Sequence, residues 1–177
     1  MITMTSRLRK LVLLAHIIFA VGWLGSVAGF LCLAVVGLTG TNAAIVRAVY
    51  LAMDPITWFV IVPFALASFL TGLLLSLGTQ WGLFRHYWIL GKLLINSLSI
   101  PILLLHTRVI DYMAGTAARR DLTQADLDGP GTQLAAAAIA ALVVLLVATI
   151  LSVYKPRGLT SYGWRKQTRI DSHHHGA

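Results

Sequence analysis

Four runs of this chain, at about 11–36, 56–79, 87–110 and 132–154, are dominated by apolar side chains. Each reaches the roughly 20 residues that carry a helix across a bilayer. Turn chemistry separates them: "TGTN" follows the first run, "MDP" precedes the second, "GTQWG" follows it, and "DGPG" precedes the fourth. The expected fold is all-α, an integral membrane four-helix bundle. Residues 1–155 form the membrane domain and 156–177 a basic tail. Composition agrees, since 58% of the chain is hydrophobic and 11% charged, against about 25% charged in soluble domains. The first run follows Arg7, Arg9 and Lys10 as a signal peptide would. It continues to about Leu38, too long for a cleaved signal, and reads as an uncleaved span.

The net charge of +8 is scattered over short segments that flank the runs. No soluble surface is available for a phosphate-binding patch, so a nucleic-acid partner is excluded and the lipid bilayer takes its place. Ten of the 14 cations fall on one side: Arg7, Arg9, Lys10, Arg85, Lys92, Lys155, Arg157, Arg165, Lys166 and Arg169. Arg47, Arg108, Arg119 and Arg120 fall on the other. The positive-inside rule then predicts both termini in the cytoplasm and a multi-pass protein of the cell membrane. Trp58, Trp81, Tyr87, Trp88, Tyr154 and Trp164 sit near span ends, as interfacial aromatics do.

The polar inventory narrows the chemistry. There is no glutamate, and Asp54, Asp111, Asp121, Asp126, Asp128 and Asp171 all lie outside the spans. A carboxylate proton relay through the bilayer lacks its parts. A small metal transporter is disfavoured on the same ground, and no repeat relates the two halves. The lone Cys32 excludes a disulfide framework and a Cys-rich metal site; it reads as a small buried residue.

With this orientation the first and third spans both run outward. His16 lies about five residues into the first and Lys92 about five into the third, which puts them at similar depth near the inner leaflet. His106 is 14 residues beyond Lys92, about 21 Å along a helix, and belongs near the outer end. His16 and His106 are therefore not expected to share an iron. Lys92, Asn96, Ser99, Leu103 and His106 form one stripe that should face protein.

His16 has two readings, a histidine bonded to a neighbouring helix or snorkelling inward, and an axial ligand of haem iron. Lys92 is a second ligand, a partner for a haem propionate, or a snorkelling cation. Arg85, Lys155 and Arg157 are candidates for the porphyrin carboxylates, although positive-inside charge alone explains them. His86 reads as a solvated loop residue. His106 is a separate candidate for a second haem, with Met53 and Met113 at its level, or a hydrogen-bonded residue at the outer interface. His173–His175 lie in a terminal tail and carry no argument. On the first span Gly22, Gly25 and Gly29 lie almost opposite His16, with "GSVAG" as a GxxxG motif. They predict close packing within the monomer or a homodimer contact.

Three blocks carry a resemblance: "KLVLLAHIIFAVGWLGS", "HYWILGKLLINSLSI" and "VVLLVATILSVYKPRG". In that order they resemble the four-helix membrane protoporphyrinogen IX oxidases and the related copper-resistance D-type membrane proteins. The chain is also similar to bacterial integral membrane proteins bearing "WGLFRHYW" and a closing "YKPRG". The resemblance implies a bacterial inner-membrane protein binding haem b through the helix-one histidine, here His16. It implies a role in activity for the helix-three lysine, here Lys92, and a quinone or porphyrinogen as redox partner. After Trp23 this chain has "LGSVAGFLCLAVVG" where that family has aromatics, Pro and Arg. Haem binding therefore carries over more directly than porphyrinogen oxidation. The reading with no chemistry of its own is a non-catalytic membrane subunit that packs through the glycine face.

Overall fold

The computed structural model describes residues 4–78, 87–119 and 127–154, and all regular structure among them is helical. Helix α1 spans Ser6–Thr39, α2 Ala43–Ile56, α3 Val62–Leu77, α4 Tyr87–Arg119 and α5 Thr132–Tyr154. Four helical segments are long and apolar enough to cross a membrane: Ser6–Thr39, Ala43–Leu77, Leu90–Arg119 and Gly129–Tyr154. α1 packs on α2, α3 and α5, while α4 closes the bundle against α2 and α5.

Capping sets the first hairpin. The Thr5 hydroxyl accepts from Leu8 N–H at 3.4 Å at the start of α1. α1 stops at "TGTN", as the turn chemistry predicts. Asn42 Oδ1 then starts α2 by accepting from Ala44 and Ile45 N–H at 2.9 and 3.3 Å, relieving two donors that the helix leaves without partners.

"MDP", in contrast, is not a break. The helix begins at Ala43 and passes through Pro55. Pro55 has no N–H to donate and its ring crowds the preceding turn. The chain accommodates it with a π-helical turn, Thr57–Ile61, before α3. The Thr57 hydroxyl donates to the Met53 carbonyl at 2.7 Å, which helps to keep the segment continuous. The "DGPG" segment is likewise a π-helical turn, Leu127–Gly131, running into α5.

These helices outrun the hydrocarbon. Asp54 lies in α2 and Asp111 in α4, not in loops. At 1.5 Å per residue, Asp54 is about 34 Å from Leu77 and Asp111 about 31 Å from Leu90. Both distances are comparable with the roughly 30 Å apolar layer, so each acid stands about one membrane thickness from the far end of its span. Beyond the third apolar run, α4 is described as far as Arg119. Arg47 of α2 anchors this part of α4. Its Nε and Nη2 donate to the Ala117 and Ala118 carbonyls at 2.6 and 3.2 Å, tying α2 to α4. Trp58 Nε1 donates to Asp111 Oδ1 at 3.3 Å, a second tie between these segments.

The core joins Trp23, Val27, Phe30 and Ala34 of α1 to Tyr50 and Met53 of α2, Ile110 and Met113 of α4, and Leu134 and Ala138 of α5. The outer faces are apolar too: Phe59 is 81% exposed and Val153 70%. In water such faces would drive aggregation, whereas in lipid they are the solvated surface. Cys32 lies on such a face, exposed rather than buried as hydropathy suggests. An apolar residue in a membrane helix has no preference between lipid and core, so hydropathy could not place it.

Tyr50 is 1% exposed, and its hydroxyl has no hydrogen-bond partner among the described residues. An unsatisfied buried hydroxyl costs about 1–3 kcal/mol. Tyr50→Phe is therefore expected to leave stability unchanged or to raise it by about 1 kcal/mol, read as the midpoint of unfolding in mixed detergent. A loss above that size would show that the hydroxyl has a partner.

Candidate functional site

α1 presents His16 toward α3, and it is half-buried. Its Nδ1 lies 3.0 Å from the Ser68 carbonyl oxygen and 3.1 Å from Thr71 Oγ1. A carbonyl can only accept, so Nδ1 carries the proton and donates. The Thr71 hydroxyl donates its own proton to Ala67 O at 2.6 Å, which leaves its lone pairs for His16. In the neutral ring Nε2 is then the basic nitrogen, and it has no hydrogen-bond partner among the described residues. A methyl group at Gly72 would sit 3.0 Å from His16 Cε1. The glycine makes room for the ring.

These three positions complete the first half of the simpler reading, a histidine bonded to a neighbouring helix. They also leave Nε2 without a hydrogen-bond partner among the described residues. Sequence reasoning missed them. The signal was present in "VPFALASFLTGLLLSL": Ser68, Thr71 and Gly72 fall at i, i+3 and i+4, one face of an otherwise apolar helix.

Lys92 is within electrostatic reach of the His16 ring. Lys92 Nζ donates to Ser152 Oγ of α5 at 3.0 Å, and Ser152 donates onward to Ala148 O at 2.9 Å. An amine held as a hydrogen-bond donor is suited to an anionic group, and less suited to a metal, which needs its lone pair. Arg85, His86, Lys155 and Arg157 lie outside the described residues, as do His173–His175, Trp81, Trp164 and the side chain of Trp88.

His106 is elsewhere. Its Nδ1 lies 2.8 Å from the Ile102 carbonyl one turn back, and its ring lines a separate apolar cavity with Ser99 and Leu103. The stripe from Lys92 to His106 therefore faces the bundle, as its polarity requires, but serves two places. None of the residues lining this cavity is Lys or Arg, so nothing there answers the carboxylates of a porphyrin. Met113 is buried in the core. A second haem at His106 gains no support.

The glycine face divides. A Cβ at Gly22 would meet the Phe64 ring at 2.6 Å, so Gly22 is consumed by packing of α1 on α3. Nothing lies within 4 Å of a Cβ placed at Gly25 or Gly29. Packing within the monomer accounts for the first glycine and not for the GxxxG pair.

Among the described residues no group of three or more His, Cys, Asp or Glu could enclose a metal ion. That excludes an all-protein metal cage there. It does not bear on haem, whose porphyrin supplies four of the ligands. No protein-family model, curated protein or solved structure matches the chain.

Proposed function

We propose that this protein holds a b-type haem near the cytoplasmic face of a cell membrane and works in electron transfer. The observation that carries the reading is the fixed tautomer of His16. Its Nδ1–H is held by Ser68 O and Thr71 Oγ1, the arrangement that orients a metal-binding imidazole and raises the basicity of Nε2. The donor set fits the group: one neutral imidazole for iron and one ammonium, Lys92, for a carboxylate. Lys92 is thereby the electrostatic partner rather than the opposite axial ligand. Arg85 and Lys155 are further candidates for the carboxylates. When bound, haem iron supplies one-electron transfer. The residues here hold, orient and charge-balance it. A quinone or a porphyrinogen is the redox partner this reading calls for, and the sequence resemblance supports a bacterial inner membrane as its location.

Haem content tests the reading. Protein purified from cells supplied with haem is expected to carry about one haem per chain, read as Soret absorbance against protein concentration. A colourless protein under those conditions rejects it.

The orientation belongs to the same proposal, because it puts His16 and Lys92 at the inner leaflet. A fluorescent reporter fused after residue 177 is expected to mature, as it does only in the cytoplasm. A dark fusion, with activity from a periplasmic reporter at the same point, would reverse the assignment.

The open Gly25 and Gly29 favour a second, compatible reading, a homodimer through this face of α1. Cys32 lies three residues beyond Gly29 and is exposed. Mild oxidation is expected to link two chains through Cys32, and Gly29→Leu to abolish the link. Monomers in both samples would reject the dimer.

A further inference from the structure

The cavity beside His106 measures about 460 Å³. That is many times the roughly 30 Å³ share of a water molecule and falls within the usual range of small-molecule sites, about 300–1,000 Å³. Its origin is legible in the side chains. α5 lines it with alanines, Ala137 and Ala141 among them, where α1 contributes Trp23 and Phe30. Short residues on one wall and large, stiff ones on the other leave space that packing does not close.

The walls are apolar apart from Thr57, Ser99, His106, Gln133 and the indole N–H of Trp23. The donors of three of these are engaged within their own helices. Thr57 donates to Met53 O at 2.7 Å, Ser99 to Ile95 O at 2.8 Å, and His106 Nδ1–H to Ile102 O at 2.8 Å. What they retain is lone pairs, and the strongest acceptor among them is His106 Nε2 in the neutral ring. No charged side chain lines the space. An occupant that matches this wall is uncharged, has a compact apolar body for the alanine and aromatic faces, and brings an O–H to an acceptor.

We propose that this cavity is a binding site for a lipid-soluble phenol or hydroquinone whose hydroxyl donates to His106 Nε2. The inference does not depend on haem, because neither His16 nor Lys92 lines the cavity. The aromatic ring of such a ligand lies against Trp23 and Phe30, and it enters from the lipid in which it dissolves.

Two probes separate the hydroxyl from the apolar body: 1-naphthol and its methyl ether, which lacks the O–H. Each is titrated into the full chain in lipid nanodiscs, with protein-free nanodiscs correcting for partition into lipid. Trp23, on the cavity wall, reports binding by its fluorescence, and Trp23→Phe identifies its contribution. 1-Naphthol is expected to saturate the site and to bind at least tenfold more tightly than the ether. His106→Leu is expected to remove that difference. Ala141→Leu, which fills the space, should weaken both probes at least tenfold.

Equal affinity of the two probes in the unaltered protein overturns the proposal and leaves a cavity for acyl chains. Absence of saturable binding overturns it as well. The comparison in the unaltered protein stands even if a variant fails to fold.

Discussion

His16→Ala is expected to reduce bound haem at least tenfold, to the background of a membrane protein with no ligand for iron. In the proposed site the side chain contributes the coordinating Nε2, and Ala leaves no other imidazole at that depth among the described residues. The environment of the ring predicts a graded series. Thr71→Val removes one of the two acceptors for Nδ1–H while the Ser68 carbonyl remains. Loss of an outer partner of a metal-binding histidine commonly costs 10–100-fold in affinity. With one acceptor kept, the lower end, about tenfold, is expected, and the Soret band should keep its position. His106→Ala should retain full haem content, because that residue lines a different cavity. Lys92→Met separates the two roles of the lysine. An electrostatic partner gives weaker binding with an unchanged spectrum, while an axial ligand gives a shifted band. The account predicts the first outcome. Haem content and band position in detergent-purified variants, at matched expression, decide each case.

The second large effect is structural. Gly37→Val is expected to destabilise the bundle by about 3 kcal/mol, the upper end of the cost of overpacking a filled core. A Cβ at Gly37 would stand 2.8 Å from Tyr50 Cζ and 2.9 Å from its hydroxyl oxygen. The ring cannot retreat, since Gly131 bounds it on another side: a Cβ there would lie 2.8 Å from the same oxygen. Two glycines, in α1 and at the entry to α5, thus clasp one tyrosine of α2 and fix three segments together. If that contact is the cause, shortening the ring should relieve it. Tyr50→Leu combined with Gly37→Val should be less unstable than the sum of the single changes by at least 1 kcal/mol, a coupling of the size seen for residues in contact. Unfolding midpoints in mixed detergent measure all three variants. Additive effects would place the strain elsewhere.

The spans were legible in the sequence because bilayer thickness imposes a length that no soluble fold demands. A regular rise converts residue number into height, which is why His16 and Lys92 are expected at one depth. What pattern reading missed has specific causes. "MDP" resembles a break, but a π-helical turn and the Thr57 hydroxyl carry the helix past Pro55. Asp54 and Asp111 look like loop acids, although helices extend beyond the hydrocarbon without penalty once they reach water. Cys32 was misplaced for a related reason. Lipid and protein interior are equally apolar, so composition does not distinguish the lipid-facing side of a helix from its packed side. Ser68, Thr71 and Gly72 matter only because α3 lies beside His16, a tertiary fact that no local pattern contains. Arg47 was counted as a topological charge, and its hydrogen bonds to α4 depend on the fold in the same way.

The central claim is that His16 Nε2 coordinates iron, and chemical rescue tests it most directly. His16→Gly removes the imidazole and leaves a space of its shape beside Gly72, into which free imidazole can diffuse. The variant, purified with haem supplied, is expected to lack the Soret band and to regain it on addition of imidazole to millimolar concentration. Normal haem content in His16→Gly without imidazole, or no band in the unaltered protein, would contradict the account.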